Sequence, residues 1–472
     1  MNFDQGLFGQ TFAVAGVLAL FTGCGDDGGD SSGTAVIPDT DTSTGATGST
    51  AEPTSGTTGG TVDEPTSTTS GDTTSDTTTG GPIVPPAYDQ WLTIPLEGAV
   101  CGNNSQYKIF ANFHEGAKDL IVMLEPGGAC WDFDTCSGKA DLGAAHPDGI
   151  PDDLLYDPLT KNLSPLMRRD VEGLTKDWNM VFIPYCTGDV HTGNKVAVYP
   201  DKDPTKPALT YHHKGAVNGE ALAKWIAANM PKPEHLLVTG FSAGGAGATG
   251  NYSILRDTVK PQVQSMLADS GPLMQAKRNG TVAAASLPLH NRIREAWGLD
   301  GPEGMVTKLI TKYPTLGDVD NLGSLTTALA QVYKNDRMGY AVFQADKIYS
   351  AFSYTDFYPE ISAAATTAEK NKLLLAKWQP EVKAWTEAMK PYANVGFYVP
   401  YERNLIGSHC LTIVGFGGTA IKDANLKSVE TFLDNIISRS GTVIKAYEKA
   451  PVTQTSGSGA LWDSIVKLFT GA

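Results

Sequence analysis

Residues 235–248 read HLLVTGFSAGGAGA: a continuous apolar run, one serine, then a stretch made only of Gly and Ala. Few folds accommodate such a run. The apolar half suits a strand buried on both faces. The small residues after Ser242 suit a helix packed tightly on the sheet, and the glycines permit a sharp, strained turn between the two. A serine at that turn is held in the open, with the Ala243 amide free to face an incoming oxyanion. Ser242, within Gly240-Phe241-Ser242-Ala243-Gly244, is therefore the candidate nucleophile. A phosphate-binding turn is excluded, because neither G-x-G-x-x-G nor a Walker lysine is present.

The surrounding pattern agrees. Strand-like runs recur at Tyr107–Phe113, Asp119–Leu124, Asn179–Tyr185, His235–Gly240, Gln264–Ala268, Met338–Gln344 and Asn394–Val399. Helical patterns over Asn218–Met230, Ala368–Met389 and Asn425–Arg439 lie between them. Alternation of this kind predicts a mostly parallel central sheet with helices on both faces, an α/β-hydrolase in class. The helix-rich stretch from about 275 to 335 breaks the rhythm and is expected to form a cap insertion.

Acyl transfer needs a second oxyanion donor. The run Asp119–Leu124 leads into Glu125-Pro126-Gly127-Gly128-Ala129, where paired glycines let backbone N–H groups approach a tetrahedral intermediate. Pro126 has no N–H, so Gly127 and Gly128 are the candidates. In this fold the chain order is serine, acid, histidine. Only His290 and His409 follow Ser242. His290 falls in the insertion, whereas His409 follows the last predicted strand through a short loop and is the expected base. For the acid, Asp346 is preferred at the end of Met338–Gln344, with Asp356 and Asp269 as alternatives.

Residues before 86 are of another kind. Thr11–Thr22 is an apolar run too short to span a bilayer, and Phe21-Thr22-Gly23-Cys24 closes it in the manner of a bacterial lipobox. Residues 1–24 are thus expected to be a lipoprotein-type signal, with Cys24 the lipidated residue. Residues 25–85 are rich in Thr, Ser, Gly and Asp and lack the apolar side chains that offset chain entropy, so they read as a disordered tether. Residues 86–472 form the globular domain. Eleven of the 51 acids precede residue 86 and no Lys or Arg precedes Lys108, so the globular part is only mildly acidic. That balance excludes the basic face of a nucleic-acid binder.

With these pieces placed, the chain resembles the pectin acetylesterase/Notum family of carboxylesterases. The blocks that carry the likeness are LEPGGACWDFDTC (124–136), NMVFIPYCTGDVHTGN (179–194), LLVTGFSAGGAGA (236–248), LADSG (267–271) and the surroundings of His409. The resemblance implies Ser242 as nucleophile, Asp346 as acid, His409 as base, and Gly127, Gly128 and Ala243 around the oxyanion. It also implies disulfides Cys130–Cys136 and Cys101–Cys186, with Cys410 unpaired. Pro126 and Ala129 stand where the family carries Gly and an aromatic residue. The expected activity is deacetylation of a polysaccharide such as pectin, by an exported, lipid-anchored monomer that touches the membrane only through its anchor. Longer acyl esters, polyesters, and a non-catalytic binding role on the same scaffold are the alternatives. No cofactor is expected, and His212-His213 has no acid or Cys at ligand spacing to complete a metal site.

Overall fold

The computed structural model describes residues 85 and 87–454, apart from 141–142, 153, 155–163, 282, 315–316, 404–406, 414 and 450–452. Cys24, the expected signal segment and nearly all of the expected tether lie outside the described residues. The elements run β1 (Trp91–Val100), β2 (Gln106–Asn112), β3 (Leu120–Leu124), a single turn α1 (Phe133–Cys136) and β4 (Asn179–Ile183). A small hairpin, β5 (Lys195–Tyr199) and β6 (Leu209–His213), precedes α2 (Gly215–Asn229), β7 (His235–Phe241), α3 (Ala243–Val259) and β8 (Val263–Asp269). Three helices follow, α4 (Leu287–Trp297), α5 (Met305–Lys312) and α6 (Ser324–Val332), then β9 (Arg337–Ala341) and α7 (Lys347–Tyr354). The rest is α8 (Pro359–Ser362), α9 (Thr367–Met389), β10 (Val395–Val399), β11 (Glu402–Arg403), α10 (Glu430–Ile437), β12 (Lys445–Tyr447) and β13 (Thr453–Gln454).

Nine strands form the main sheet in the order β1-β2-β4-β3-β7-β8-β9-β10-β12. The first two pairings are antiparallel and the remaining six parallel. This is the expected α/β-hydrolase class. Every residue of β3 and β4 is buried, which is why those strands carry no polar alternation. Edge strand β1 differs: only two of its ten residues are buried, and it tolerates Pro95 within it.

Glycines let α3 sit where it does. A Cβ on Gly244 would lie 2.1 Å from the Leu124 carbonyl oxygen, and one on Gly245 would lie 2.3 Å from that of Asp269. The first turn of α3 therefore touches the C-terminal ends of both β3 and β8, and an alanine at either position would push it away.

Two disulfides close the end of the sheet that carries the site. Cys101–Cys186 joins the turn after β1 to the segment after β4, and Cys130–Cys136 pins the chain after β3. Cys410 is free and buried. The pairings are those the resemblance implied. Sequence separations of 85 and 6 predict unequal contributions. Loop-closure entropy gives about 4–5 kcal/mol for the long loop and about 2 kcal/mol for the short one. Cys101→Ala/Cys186→Ala should therefore lower the urea midpoint clearly more than Cys130→Ala/Cys136→Ala. Equal shifts would refute that ordering.

Candidate active site

Ser242 sits at the β7–α3 junction with φ 55° and ψ −124°, a region an L-residue enters only under constraint. The constraint is visible: its N–H donates to the Asp269 carbonyl (2.8 Å), and its own carbonyl accepts the Gly245 N–H (3.0 Å). Ala243 opens α3, so its N–H has no intrahelical acceptor.

Ser242, Ala243, Gly127, Gly128, His409 and Cys410 all line one cavity of about 60 Å³, whose walls also include Ile348, Tyr349, Phe352 and Ile413. The loop from Pro126 to Ala129 is held at both ends. The Glu125 N–H donates to the Ile183 carbonyl (2.9 Å) and the Cys130 N–H to that of Gly188 (2.8 Å). A Cβ on Gly127 would stand 2.6 Å from the Tyr185 ring, so only glycine fits there.

His409 and Asp346 meet: Nδ1 lies 2.8 Å from Asp346 Oδ2, and both residues are buried. The other carboxylate oxygen of Asp346 accepts the N–H groups of Ile348 (3.0 Å) and Tyr349 (2.8 Å), capping α7. The carboxylate is thus fixed by a helix N-terminus, where negative charge is favoured. The Lys347 N–H donates to the Gly407 carbonyl (2.9 Å), tying α7 to the histidine loop.

The other two acids lie elsewhere. Asp269 ends β8 completely buried, and its Oδ2 accepts from the Leu411 N–H, the Thr412 N–H and the Thr412 hydroxyl, each at 2.8 Å. It anchors the loop that carries His409 without touching the imidazole. Asp356 is exposed beyond α7. His290 is buried within α4 and does not line the cavity. Burial pushes the Cys410 thiol well above its ordinary value, with Asp269 and Asp346 adding to the effect. It stays a neutral thiol rather than a second nucleophile.

Sequence reasoning missed a pair beside the glycine loop. His146 lines the cavity and its Nε2 lies 3.2 Å from Glu125 Oε1. Glu125 Oε2 accepts the Tyr185 N–H (2.6 Å), and the Glu125 carbonyl accepts from His191 Nε2 (3.0 Å). Burial opposes charge on His146, but the Glu125 carboxylate outweighs it and the imidazole pKa is raised. His191 differs, since burial pulls it down to about 4 and keeps it neutral. Glu125 thus pins the start of the Pro126–Ala129 loop from three directions. Nothing in the spacing of residues 125 and 146 signals this.

Neither imidazole nitrogen of His213 is left for a metal. One lies 2.8 Å from the Tyr199 hydroxyl and the other 3.1 Å from the Thr187 carbonyl. Cys130 and Cys136, its sulfur neighbours, are joined to each other. Asp189, buried and pushed up to about 6 by that burial, accepts from the Thr187 hydroxyl and the N–H groups of Gly193 and Gly215.

Residues 92–287 match the pectinacetylesterase family. The match covers the Gly127–Gly128 loop and Ser242 and ends before Asp346 and His409. Palmitoleoyl-protein carboxylesterase notum2 of Xenopus laevis is 25% identical over 188 residues, 38% of this chain and 36% of that protein. Pectin acetylesterase 7 of Arabidopsis thaliana is 25% identical over 186 residues, 38% of this chain and 44% of that protein. The chain thus matches less than half the length of either relative. The solved structure of the Wnt deacylase Notum from Drosophila shares the fold, with a TM-score of 0.51 at 18% identity, covering 78% of this chain and 98% of that one. The two disulfides of this chain point to an exported protein.

Proposed function

We propose that this protein is a serine carboxylesterase that removes acetyl groups from a polysaccharide such as pectin. The observation that carries the reading is the buried 2.8 Å contact of His409 with Asp346, opening on the same cavity as Ser242 and the Gly127–Gly128 loop. Ser242 Oγ attacks the ester carbonyl carbon and gives its proton to His409 Nε2. Asp346 accepts the Nδ1–H, which fixes the tautomer with Nε2 as base and stabilises the imidazolium that follows. N–H groups of Ala243 and of Gly127 or Gly128 receive the oxyanion, each worth about 2.7–4 kcal/mol of transition-state stabilisation. The imidazolium protonates the departing sugar hydroxyl. Water, activated by the same nitrogen, then releases acetate and restores Ser242.

Cavity size supports the short acyl group. At about 60 Å³ it is a small cavity. The protein is further proposed to be held at the cell envelope by lipid on Cys24, with residues 25–85 as the tether. Among the described residues no helix is long and apolar enough to cross a membrane.

A fluorophosphonate probe should label the wild-type protein and leave Ser242→Ala unlabelled. Acetylated pectin and nitrophenyl acetate should be turned over faster than nitrophenyl octanoate. Equal labelling of both proteins removes Ser242 as nucleophile, and preference for octanoate removes the acetylesterase assignment.

A further inference from the structure

A second apolar cavity, about 70 Å³, lies between α3 and the helices α4, α5 and α6. Its lining includes Ala246, Ile293, Trp297, Met305 and Leu325, and one residue, Val190, lines it and the catalytic cavity alike. Ala243 borders the catalytic cavity and Ala246 the second, one turn apart on the same helix. Val190 and these two small residues belong to one apolar cluster that also contains Trp297 and Met305.

Val190 is held there against its own preference. Its φ is 46°, a region β-branched residues avoid, and the next residue, His191, has φ 61°. Several contacts impose this geometry. The Val190 N–H donates to the Tyr185 hydroxyl (2.7 Å). The preceding Asp189 grips Gly193 and Gly215. The His191 ring packs on Tyr185 at 4.6 Å between centroids. Helix α3 closes from the other side, since a Cβ on Gly247 would be only 3.0 Å from the Val190 carbonyl oxygen. A strained branched side chain maintained by so many partners, and set between two cavities, has the character of a functional constraint.

We infer that Val190 is the specificity-determining residue that limits acyl length, by walling the catalytic cavity off from the apolar cavity under α4–α6; this rests on the esterase reading. The second cavity is about as large as the first, about 70 Å³ against about 60 Å³, so joining the two would about double the space open to an acyl chain.

The test is a chain-length profile of kcat/KM on nitrophenyl esters from acetate to dodecanoate, with the full-length protein. Val190→Gly suits the positive φ and removes the partition, and Val190→Ala removes most of it. Both should raise the decanoate-to-acetate ratio by about tenfold or more. Adding Ala328→Phe, which fills the second cavity from α6, should return the ratio toward wild type. A wild type that hydrolyses no ester defeats the esterase reading. An active wild type whose ratio stays within twofold in both variants defeats only the role of Val190, and so does a wild type that already prefers decanoate. Loss of a cooperative melt in both variants would assign Val190 to the fold and also overturn the inference.

Discussion

Ser242→Ala should lower kcat for acetyl-ester hydrolysis by about 10⁶-fold, because a nucleophile of this kind acts as a unit with its base and little remains once it is gone. The residual rate would come from the Gly127–Gly128 loop and the Ala243 amide, which still bind the developing oxyanion. The same residue should report on stability. Ser242 has φ 55° and ψ −124°, and alanine would occupy that strained turn no more comfortably. Glycine would. Ser242→Gly should therefore be as inactive as Ser242→Ala yet more stable by about 1 kcal/mol, since relief of strain outweighs the added freedom of the unfolded chain. Turnover of nitrophenyl acetate and thermal melts of the three proteins measure both effects. More than a hundredth of wild-type activity in Ser242→Ala would remove the serine from the chemistry. A Ser242→Gly melt no higher than that of Ser242→Ala would instead refute the strain.

Much of the frame was legible because buried parallel strands leave a plain signature. HLLVTG and NMVFI are apolar on both faces, and both became central strands. β1 was not legible, since Pro95 and Gly98 interrupt an edge strand that buries only two residues. The β5–β6 hairpin was hidden for a related reason, with Val196 and Val198 facing solvent. The pattern Met338–Gln344 runs three residues past the strand, which stops at Ala341. The overreach has a physical source, because the chain stays extended and the N–H groups of Val342 and Gln344 still donate to carbonyls of residues 398 and 400. The acid was ambiguous because sequence shows which aspartates end strands but not what their oxygens accept. The Glu125–His146 contact joins residues 21 apart through a loop, and the positive φ of Val190 contradicts its residue type.

That ambiguity sets up the second large effect. Asp346→Asn should lower kcat by about 10⁴-fold with little change in melting temperature. Asparagine caps a helix as well as aspartate does, so the N–H groups of Ile348 and Tyr349 keep their acceptor. The amide nitrogen that replaces Oδ2 instead faces His409 Nδ1 as a donor, which favours the tautomer with the proton on Nε2 and leaves Ser242 without a base. Asp269→Asn should show the opposite balance. Oδ2 accepts three donors from residues 411 and 412, while Oδ1 accepts the Ser270 hydroxyl. An NH₂ facing residues 411 and 412 meets three donors, and an NH₂ facing Ser270 leaves that hydroxyl without its acceptor; either arrangement costs about 1–3 kcal/mol. Activity should fall with it, through displacement of the His409 loop, but by far less than 10⁴-fold. Asp356→Asn, an exposed change, should stay within about twofold of wild type in both measurements. Urea midpoints and kcat for the three variants separate the roles. If Asp269→Asn loses 10⁴ in kcat at unchanged stability while Asp346→Asn keeps a tenth of its activity, the acid has been assigned to the wrong strand end.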